Sequence, residues 1–544
     1  MSPQSLRKIH RRLFLQTTAL AATTSLAIAT PATATKQPQP RPRRRKNVPR
    51  VAGRTTDPRI DFFNFPNGNA VDSAVATALI AAVKAPGQTG IGGYGLAALV
   101  ASPNDNHILA VDGNSASPQA MPADVFKPDP NGTVRDRIND TGWLAAGVPG
   151  VLAGLQVLID RFCSAPFAEL VQPAILLAQQ GYPWPEALSK TTGSRPIFRM
   201  DPGSKLLYLP GGNPISPGQI FRNPDLAALL QHLAAKNRVD DFYKGPIAKK
   251  IADAFATNGG LVTATDLANY SANVVTPLAL TLGEFTVHTP PLTAGGLSVL
   301  QMLHAEYFLP PDLPHIPDIQ LHAAVEIMRI AWKDRLTLLG DPTFSEIPTS
   351  RLLSTEYARE SAAAAAAAAK NRHVIQHQIK ANPQSGTIHI SAADDSGLMI
   401  ALTLTHGGSF GSGVTVPGLG LTLGHGMSRF DPTPGHPNGP GPNKRPLHNM
   451  VPAIVTRNGT PQFAIGGAGG RRIPNTVYSI LRSYILNNQP LTNALHSTRF
   501  HSEGNNSIQF TADSPQQSIK YLNQLGYQTT TASPAAIAAV PRRN

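Results

Sequence analysis

The run Ser385-Gly386-Thr387-Ile388-His389-Ile390-Ser391 sets the tightest constraint on this 544-residue chain. It places a threonine directly after a small residue, deep inside the sequence, where polar and apolar residues begin to alternate as in a strand. Cleavage of the Gly386–Thr387 bond gives Thr387 both halves of a catalytic device, a hydroxyl nucleophile and its own α-amine as base. A fold that uses this device must start a strand at Thr387 and leave the preceding segment open to cleavage.

The flanking sequence suits that demand. Ser361 precedes eight alanines, 362–369, and Lys370. Alanine is the best helix former, so the stretch predicts a helix, and its lack of a wide apolar face predicts a surface position. Residues 371–386 read as a polar, loosely structured connector. Beyond it, 387–393 and 398–405 predict two strands around the turn Asp394-Asp395-Ser396-Gly397. A second strand pair, 453–457 and 462–465, surrounds Asn458-Gly459, and Pro474 opens a helix carrying Val477, Ile480, Leu481 and Ile485.

Upstream, Val71, Val75, Leu79 and Val83 recur four apart and predict a helix over 69–83, closed by Pro86-Gly87. Gly90-Ile91-Gly92-Gly93-Tyr94-Gly95 leads into a strand, Leu96–Val100. It precedes that strand and lacks a following Lys-Ser/Thr, so it reads as a close-packing turn rather than a phosphate loop. Residues 150–270 read as mainly helical, with Thr265 as a helix cap after Gly259-Gly260. Residues 274–288 alternate as strands, 317–340 predict a helix, and 431–443 is a Pro/Gly-rich loop. Alternating strand pairs and helices imply a layered α/β architecture.

The net charge of +14 is a poor guide to function, because 11 of the cations lie within the first 50 residues, where there are no acids. The body is close to neutral, which argues against nucleic acid as a partner. Arg11-Arg12-Leu13-Phe14-Leu15-Gln16, a diluted apolar stretch and Ala32-Thr33-Ala34 predict a twin-arginine signal over 1–34, with export to the bacterial periplasm or beyond. The stretch is too rich in Thr for a stable membrane span. Residues 35–58 read as a basic, Pro-rich linker. The single cysteine, Cys163, excludes an intrachain disulfide and reads as a buried structural thiol. His389, His406, His425, His436 and His448 show no convincing metal-ligand spacing, so no metal site is expected.

The chain resembles the gamma-glutamyltranspeptidase family of N-terminal-nucleophile (Ntn) hydrolases from about residue 60 to 485. The resemblance rests on Gly68-Asn69-Ala70-Val71-Asp72-Ser73-Ala74-Val75-Ala76, the Thr89–Gly95 glycine cluster and Val148-Pro149-Gly150-Val151-Leu152-Ala153-Gly154-Leu155. It continues through Asp266-Leu267-Ala268-Asn269-Tyr270, Pro290–Gly296, Gly340-Asp341-Pro342, Gly386-Thr387-Ile388-His389, Lys444-Arg445-Pro446-Leu447 and Gly467-Ala468-Gly469-Gly470. It implies a four-layer αββα Ntn-hydrolase sandwich, autoprocessed into a large chain, 59–386, and a small chain, 387–544, that stay together as a heterodimer. It also implies a small-molecule or peptide amide as substrate and no cofactor. By similarity Thr387 is the nucleophile for both maturation and catalysis, Thr405 activates it, and the N–H groups of Gly469 and Gly470 form the oxyanion hole.

The substrate-binding positions depart from the family. Its arginine position holds Asn114, and its asparagine two residues beyond the second threonine is Gly407. Arg429 stands where an acid holds the donor's amine, and its serine pair is His448-Asn449. Loop 431–443 is also shorter than the usual lid. A cation in place of an anion repels a substrate ammonium and suits a substrate carboxylate. Three readings follow: a gamma-glutamyl or glutathione hydrolase or transpeptidase, an acylase or amidase acting on another amide, and a secreted binding protein without catalysis.

Overall fold

The computed structural model describes residues 49–103, 107–130, 132–377, 379 and 386–542. The expected signal over 1–34, residues 35–48 of the expected linker, and positions 378 and 380–385 of the expected connector lie outside the described residues.

The strands that matter here, in chain order, are β1 (Val51–Thr55), β2 (Gly95–Ala101), β3 (Ile108–Asp112), β4 (Asn273–Val275), β5 (Leu278–Leu282) and β6 (Phe285–Thr289). They continue with β7 (Thr387–Asp394), β8 (Met399–Thr405), β9 (Ala453–Arg457), β10 (Thr460–Ala468) and β11 (Ala536–Pro541). One sheet runs β1-β7-β8-β2-β3-β4 and the other β11-β10-β9-β6-β5. Adjacent strands in both sheets are antiparallel.

The two sheets face each other through Leu99, Ala101, Met399 and Ala401 of the first and Ile454, Ala464 and Val540 of the second. Helices α1 (Ala70–Lys84) and α2 (Val151–Phe162) cover the outer face of the first sheet. Helices α3 (Gly296–Tyr307), α4 (Pro317–Leu338), α5 (Thr355–Lys370) and α6 (Arg472–Leu481) lie on the side of the second. The order is helix, sheet, sheet, helix, the four-layer αββα sandwich expected from the sequence. Burial on both faces explains why β7 and β8 are buried throughout.

Helix α1 starts where the sequence specifies. The Asn69 side chain accepts from the Val71 and Asp72 N–H groups at 2.8 and 2.9 Å, and the Asp72 carboxylate accepts from the Asn69 N–H at 2.7 Å, a complete capping box. Asp394, at the end of β7, accepts from the Ala70 N–H at 2.9 Å and ties strand to helix. Cys163 ends α2 partly buried, and burial with the nearby Asp72 charge pushes its thiol well above the usual range.

Three sequence expectations need correction. Residues 51–55 of the expected linker form β1, because their backbone pairs with β7 from Val51↔Asp394 to Thr55↔Ile390. Thr263, rather than Thr265, caps its helix, since only Thr263 is three residues before the Asp266 that completes a capping box. The alanine helix α5 is packed rather than superficial. Ala362, Ala365, Ala366, Ala368 and Ala369 are buried, with Ala365 among α3 and α4 residues and Ala366 and Ala369 against Ala323 of α4. Small side chains supply no large apolar face, but they let neighbouring helices come close.

Ala365→Leu is therefore expected to lower stability by about 1–3 kcal/mol through overpacking. Exposed Ala364→Leu should change it by no more than about 0.5 kcal/mol. Urea unfolding of the two variants checks the difference.

Candidate active site

Strands β7 and β8 pair so that Thr387 stands directly opposite Thr405. Their Oγ1 atoms are 3.1 Å apart, and both side chains are buried. Thr405 Oγ1 donates to the Gly386 carbonyl and accepts from the Gly407 N–H at 2.8 Å. A hydroxyl has one hydrogen to give. Since that of Thr405 is already committed to Gly386, Thr387 must donate to Thr405. The candidate nucleophile thus points its proton at Thr405, while Thr405 polarises the carbonyl of the bond to be cut.

Gly386 has φ = 89°, and a Cβ there would lie 2.6 Å from the carbonyl carbon and oxygen of Gly408. Only glycine fits that close approach at this conformation. The Thr387 N–H donates to the side-chain oxygen of Gln88 at 3.1 Å, across 299 residues of sequence.

Gly469 and Gly470 form the turn between β10 and α6, with φ of 144° and 63°. Their carbonyls accept from the Arg472 and Ile473 N–H groups. Gly466 abuts the His389 ring, where a Cβ would lie 2.3 Å from it, and Ala464 shares a cluster with Ala393. Followed in that direction across the layer, β10 carries Gly469-Gly470 toward the Thr387 end of β7.

Arg429, in the short helix Gly426–Arg429, is buried and reaches Gly407, two residues beyond Thr405. Its Nη2 donates to the Gly407 carbonyl and, at 3.0 Å, to His425 Nε2, and its guanidinium lies over the Tyr94 ring at 5.9 Å. His425 Nδ1 faces the Asp140 carboxylate at 2.8 Å. Nε2 must then accept from Arg429, which makes His425 the neutral Nδ1–H tautomer. Burial opposes ionisation of Asp140, yet its hydrogen bond to His425 and the charges of Arg137 and Arg429 hold its carboxyl far below the usual range. Among the described residues no carboxylate pairs directly with Arg429, and its Nε–H has no partner. Burial lowers its pKa.

Asn114 is buried, and its Nδ2 donates to Thr293 Oγ1 and the Pro446 carbonyl, each at 2.7 Å. A carbonyl can only accept, so the amide orientation is fixed and Oδ1 faces away without a donor. A Cβ on Gly95 would lie 3.6 Å from both Asn114 Oδ1 and Thr405 Cγ2. Gly407 has φ = 95° and packs against His425 and Tyr94. The His448 N–H donates to the Thr293 carbonyl at 3.0 Å, and its own carbonyl accepts from Arg335 at 2.8 Å. Asn449 Oδ1 accepts from the same guanidinium at 3.3 Å.

Sequence reasoning missed Gln88, Asp140 and Arg335. Arg335 carried a signal, as an arginine in the interior of an otherwise well-packed helix. It is buried, its pKa is lowered to about 10 by burial and then by the charge of Arg471, and it donates to the neutral oxygens of Ala294, His448 and Asn449. Arg471 itself is paired with Glu503 at 2.8 Å. Loop 431–443 is tied to the site by Asn438, whose Nδ2 donates to the Arg429 carbonyl at 2.7 Å. Among the described residues no group of His, Cys, Asp or Glu is arranged to hold a metal ion. His389, for one, is used up by Thr403 at 2.7 Å and Ser391 at 2.8 Å. No helix among the described residues is long and apolar enough to cross a membrane.

The sequence matches the family profile Gamma-glutamyltranspeptidase over residues 66–543. It is 32% identical over 453 residues to the glutathione hydrolase proenzyme of Escherichia coli (strain K12), covering 80% of this chain and 77% of that protein. It is equally 32% identical over 453 residues to the acylase ACY 1 proenzyme of Pseudomonas sp. (strain SE83), with 80% and 79% covered. The fold is shared with cephalosporin acylase from Bacillus halodurans, at TM-score 0.77 and 23% identity over 93% of this chain and 97% of that one.

Burial lowers the pKa of His389, His406 and His448 to about 3, with the nearby charges of Arg335, Arg429 and Arg445 adding to the effect at His448. The unfolded chain protonates them near 6.5, so each contributes stability above that pH and loses it as pH falls toward 3. The slope is at most about 1.4 kcal/mol per pH unit for each histidine. The urea midpoint should fall between about pH 7 and 4.5, before most carboxylates titrate. A level midpoint over that range contradicts the buried neutral state.

Proposed function

The chain belongs to the gamma-glutamyltranspeptidase family of enzymes, and from that premise we propose that it is a self-cleaving hydrolase or acyltransferase for amides whose acyl part carries a carboxylate. The observation that carries this reading is Arg429, a buried cation that donates to Gly407, itself hydrogen-bonded to Thr405, and that has no carboxylate partner among the described residues. Leaving such a charge unpaired is costly, and a substrate carboxylate relieves that cost. Dicarboxylic-acyl and peptidyl amides have the required chemistry.

Maturation starts from the hydrogen bonds already present. Thr387 Oγ1 attacks the Gly386 carbonyl carbon while Thr405 donates to the developing oxyanion. The hydroxyl proton ends on the departing nitrogen as the C–N bond breaks, and an ester replaces the amide. Water then hydrolyses the ester, leaving a Gly386 carboxylate and a Thr387 with free hydroxyl and α-amine. With a reference pKa of about 7.7–8.0, that amine has a usable neutral fraction near neutral pH.

In turnover the amine takes the hydroxyl proton as Thr387 attacks the substrate amide. The N–H groups of Gly469 and Gly470 hold the oxyanion, each such donor being worth several kcal/mol. The amine product leaves with that proton, and the acyl-Thr387 passes to water or a second amine. Large and small chains remain associated, and the arginine pair at 11–12 directs export of the folded protein.

On a denaturing gel the wild type should separate into two chains cut before Thr387. Thr387→Ala should stay intact, and Gly386→Ala should be cut more slowly. An uncut wild type after prolonged incubation supports the non-catalytic reading. The processed enzyme should turn over glutaryl p-nitroanilide at least about tenfold faster than γ-glutamyl p-nitroanilide, given the cost of placing an ammonium beside Arg429. Faster γ-glutamyl turnover restores the glutathione-type reading. Arg429→Gln should lose about tenfold or more in kcat/KM on the glutaryl substrate.

A further inference from the structure

Gln88 lies outside every motif that marks the site, yet its side chain accepts from the nitrogen that maturation would turn into a base. Its Oε1 accepts from the Thr387 N–H at 3.1 Å. The orientation is unambiguous, because an N–H can only face the oxygen end of the amide. The backbone of Gln88 is held at both ends. Its N–H donates to the Ala85 carbonyl at 2.8 Å, in the turn that closes α1, and its carbonyl accepts from the His406 N–H at 3.0 Å. The second contact is to the residue after Thr405, so the segment that carries Gln88 is hydrogen-bonded to the segment that carries the partner hydroxyl of Thr387.

We infer that Gln88 is the positioning residue for the α-amine of Thr387, and that a neutral acceptor is used there to keep the amine available as a base. The inference rests on the proposed role of Thr387. Before the cut, Gln88 accepts from the amide N–H. When the C–N bond breaks and the nitrogen gains the hydroxyl proton, the amine keeps one N–H on Gln88. With that bond fixed, rotation about N–Cα is stopped and the lone pair has a defined direction relative to Oγ1. Such alignment is a major part of the advantage of intramolecular proton transfer. A carboxylate at the same place would fix the amine equally well but hold it protonated, since an opposite charge within about 4–6 Å moves a pKa by roughly 1–3 units.

Gln88→Glu and Gln88→Met separate these effects, measured with whichever of glutaryl or γ-glutamyl p-nitroanilide the wild type cleaves faster. Gln88→Glu should still be cut, because an uncharged amide N–H donates as well to a carboxylate as to an amide. Once cut, the acid limb of its kcat/KM profile should move up by about 1–2 pH units. Gln88→Met keeps the length and loses the acceptor. Its kcat should fall about tenfold or more while KM and the thermal midpoint stay near wild type. An unshifted acid limb in processed Gln88→Glu, a folded Gln88→Glu that stays uncut, or a fully active Gln88→Met each overturns the inference. A wild type that never cuts defeats the Thr387 reading itself, and is a different outcome.

Discussion

The strand register that sets Thr387 opposite Thr405 is the constraint on which the candidate site depends. A shift of one residue would turn Thr387 to the other face of the sheet and carry its hydroxyl away from Thr405. Several unrelated features defend that register. β1 pairs along the free side of β7, β2 pairs along β8, and Asp394 fastens the far end of β7 to the start of α1. The ring of His389, two residues from Thr387, bridges Thr403 and Ser391 and fills the space left by Gly466 in the facing sheet. The hydroxyl pair is thus held by both layers of the sandwich.

The second theme is charge. Arg335 and Arg429 are buried, and their guanidinium groups donate to neutral atoms. The nearest acid on the Arg429 side, Asp140, is reached through the His425 ring. A histidine kept neutral between an arginine and a carboxylate transmits orientation without cancelling the cation. The surroundings of Arg429 therefore stay electropositive, and the proposed preference for an anionic acyl group rests on that charge.

Much of this was legible in the sequence because the signals are local. The Thr387 hairpin shows as two alternating runs around an Asp-Asp-Ser-Gly turn, and α1 shows as a four-residue repeat after Asn69. Arg429 was visible as a cation at a position of known chemistry, although its link to His425, four residues before it, was not drawn. The failures have physical causes. α5 looked superficial because alanines carry no apolar stripe, whereas its burial comes from the neighbours it allows to approach. Residues 51–55 looked like linker because edge pairing to β7 is a matter of backbone hydrogen bonds, which composition does not record. Gln88 meets Thr387 only through the folded chain.

The interleaving of the first sheet has a consequence for the order of events in the life of the molecule. β1 and β2 come before residue 386, β7 and β8 after it, and the four alternate as β1-β7-β8-β2. A cut at Gly386 leaves no seam along which the pieces can part, since separating them would strip hydrogen bonds from both sides of the β7–β8 hairpin. What was assembled as a single thread would have to be reassembled, after unfolding, as an encounter between two. The uncut precursor is therefore also the folding template, and cleavage is a step that the folded state survives but that a refolding chain could not take in reverse.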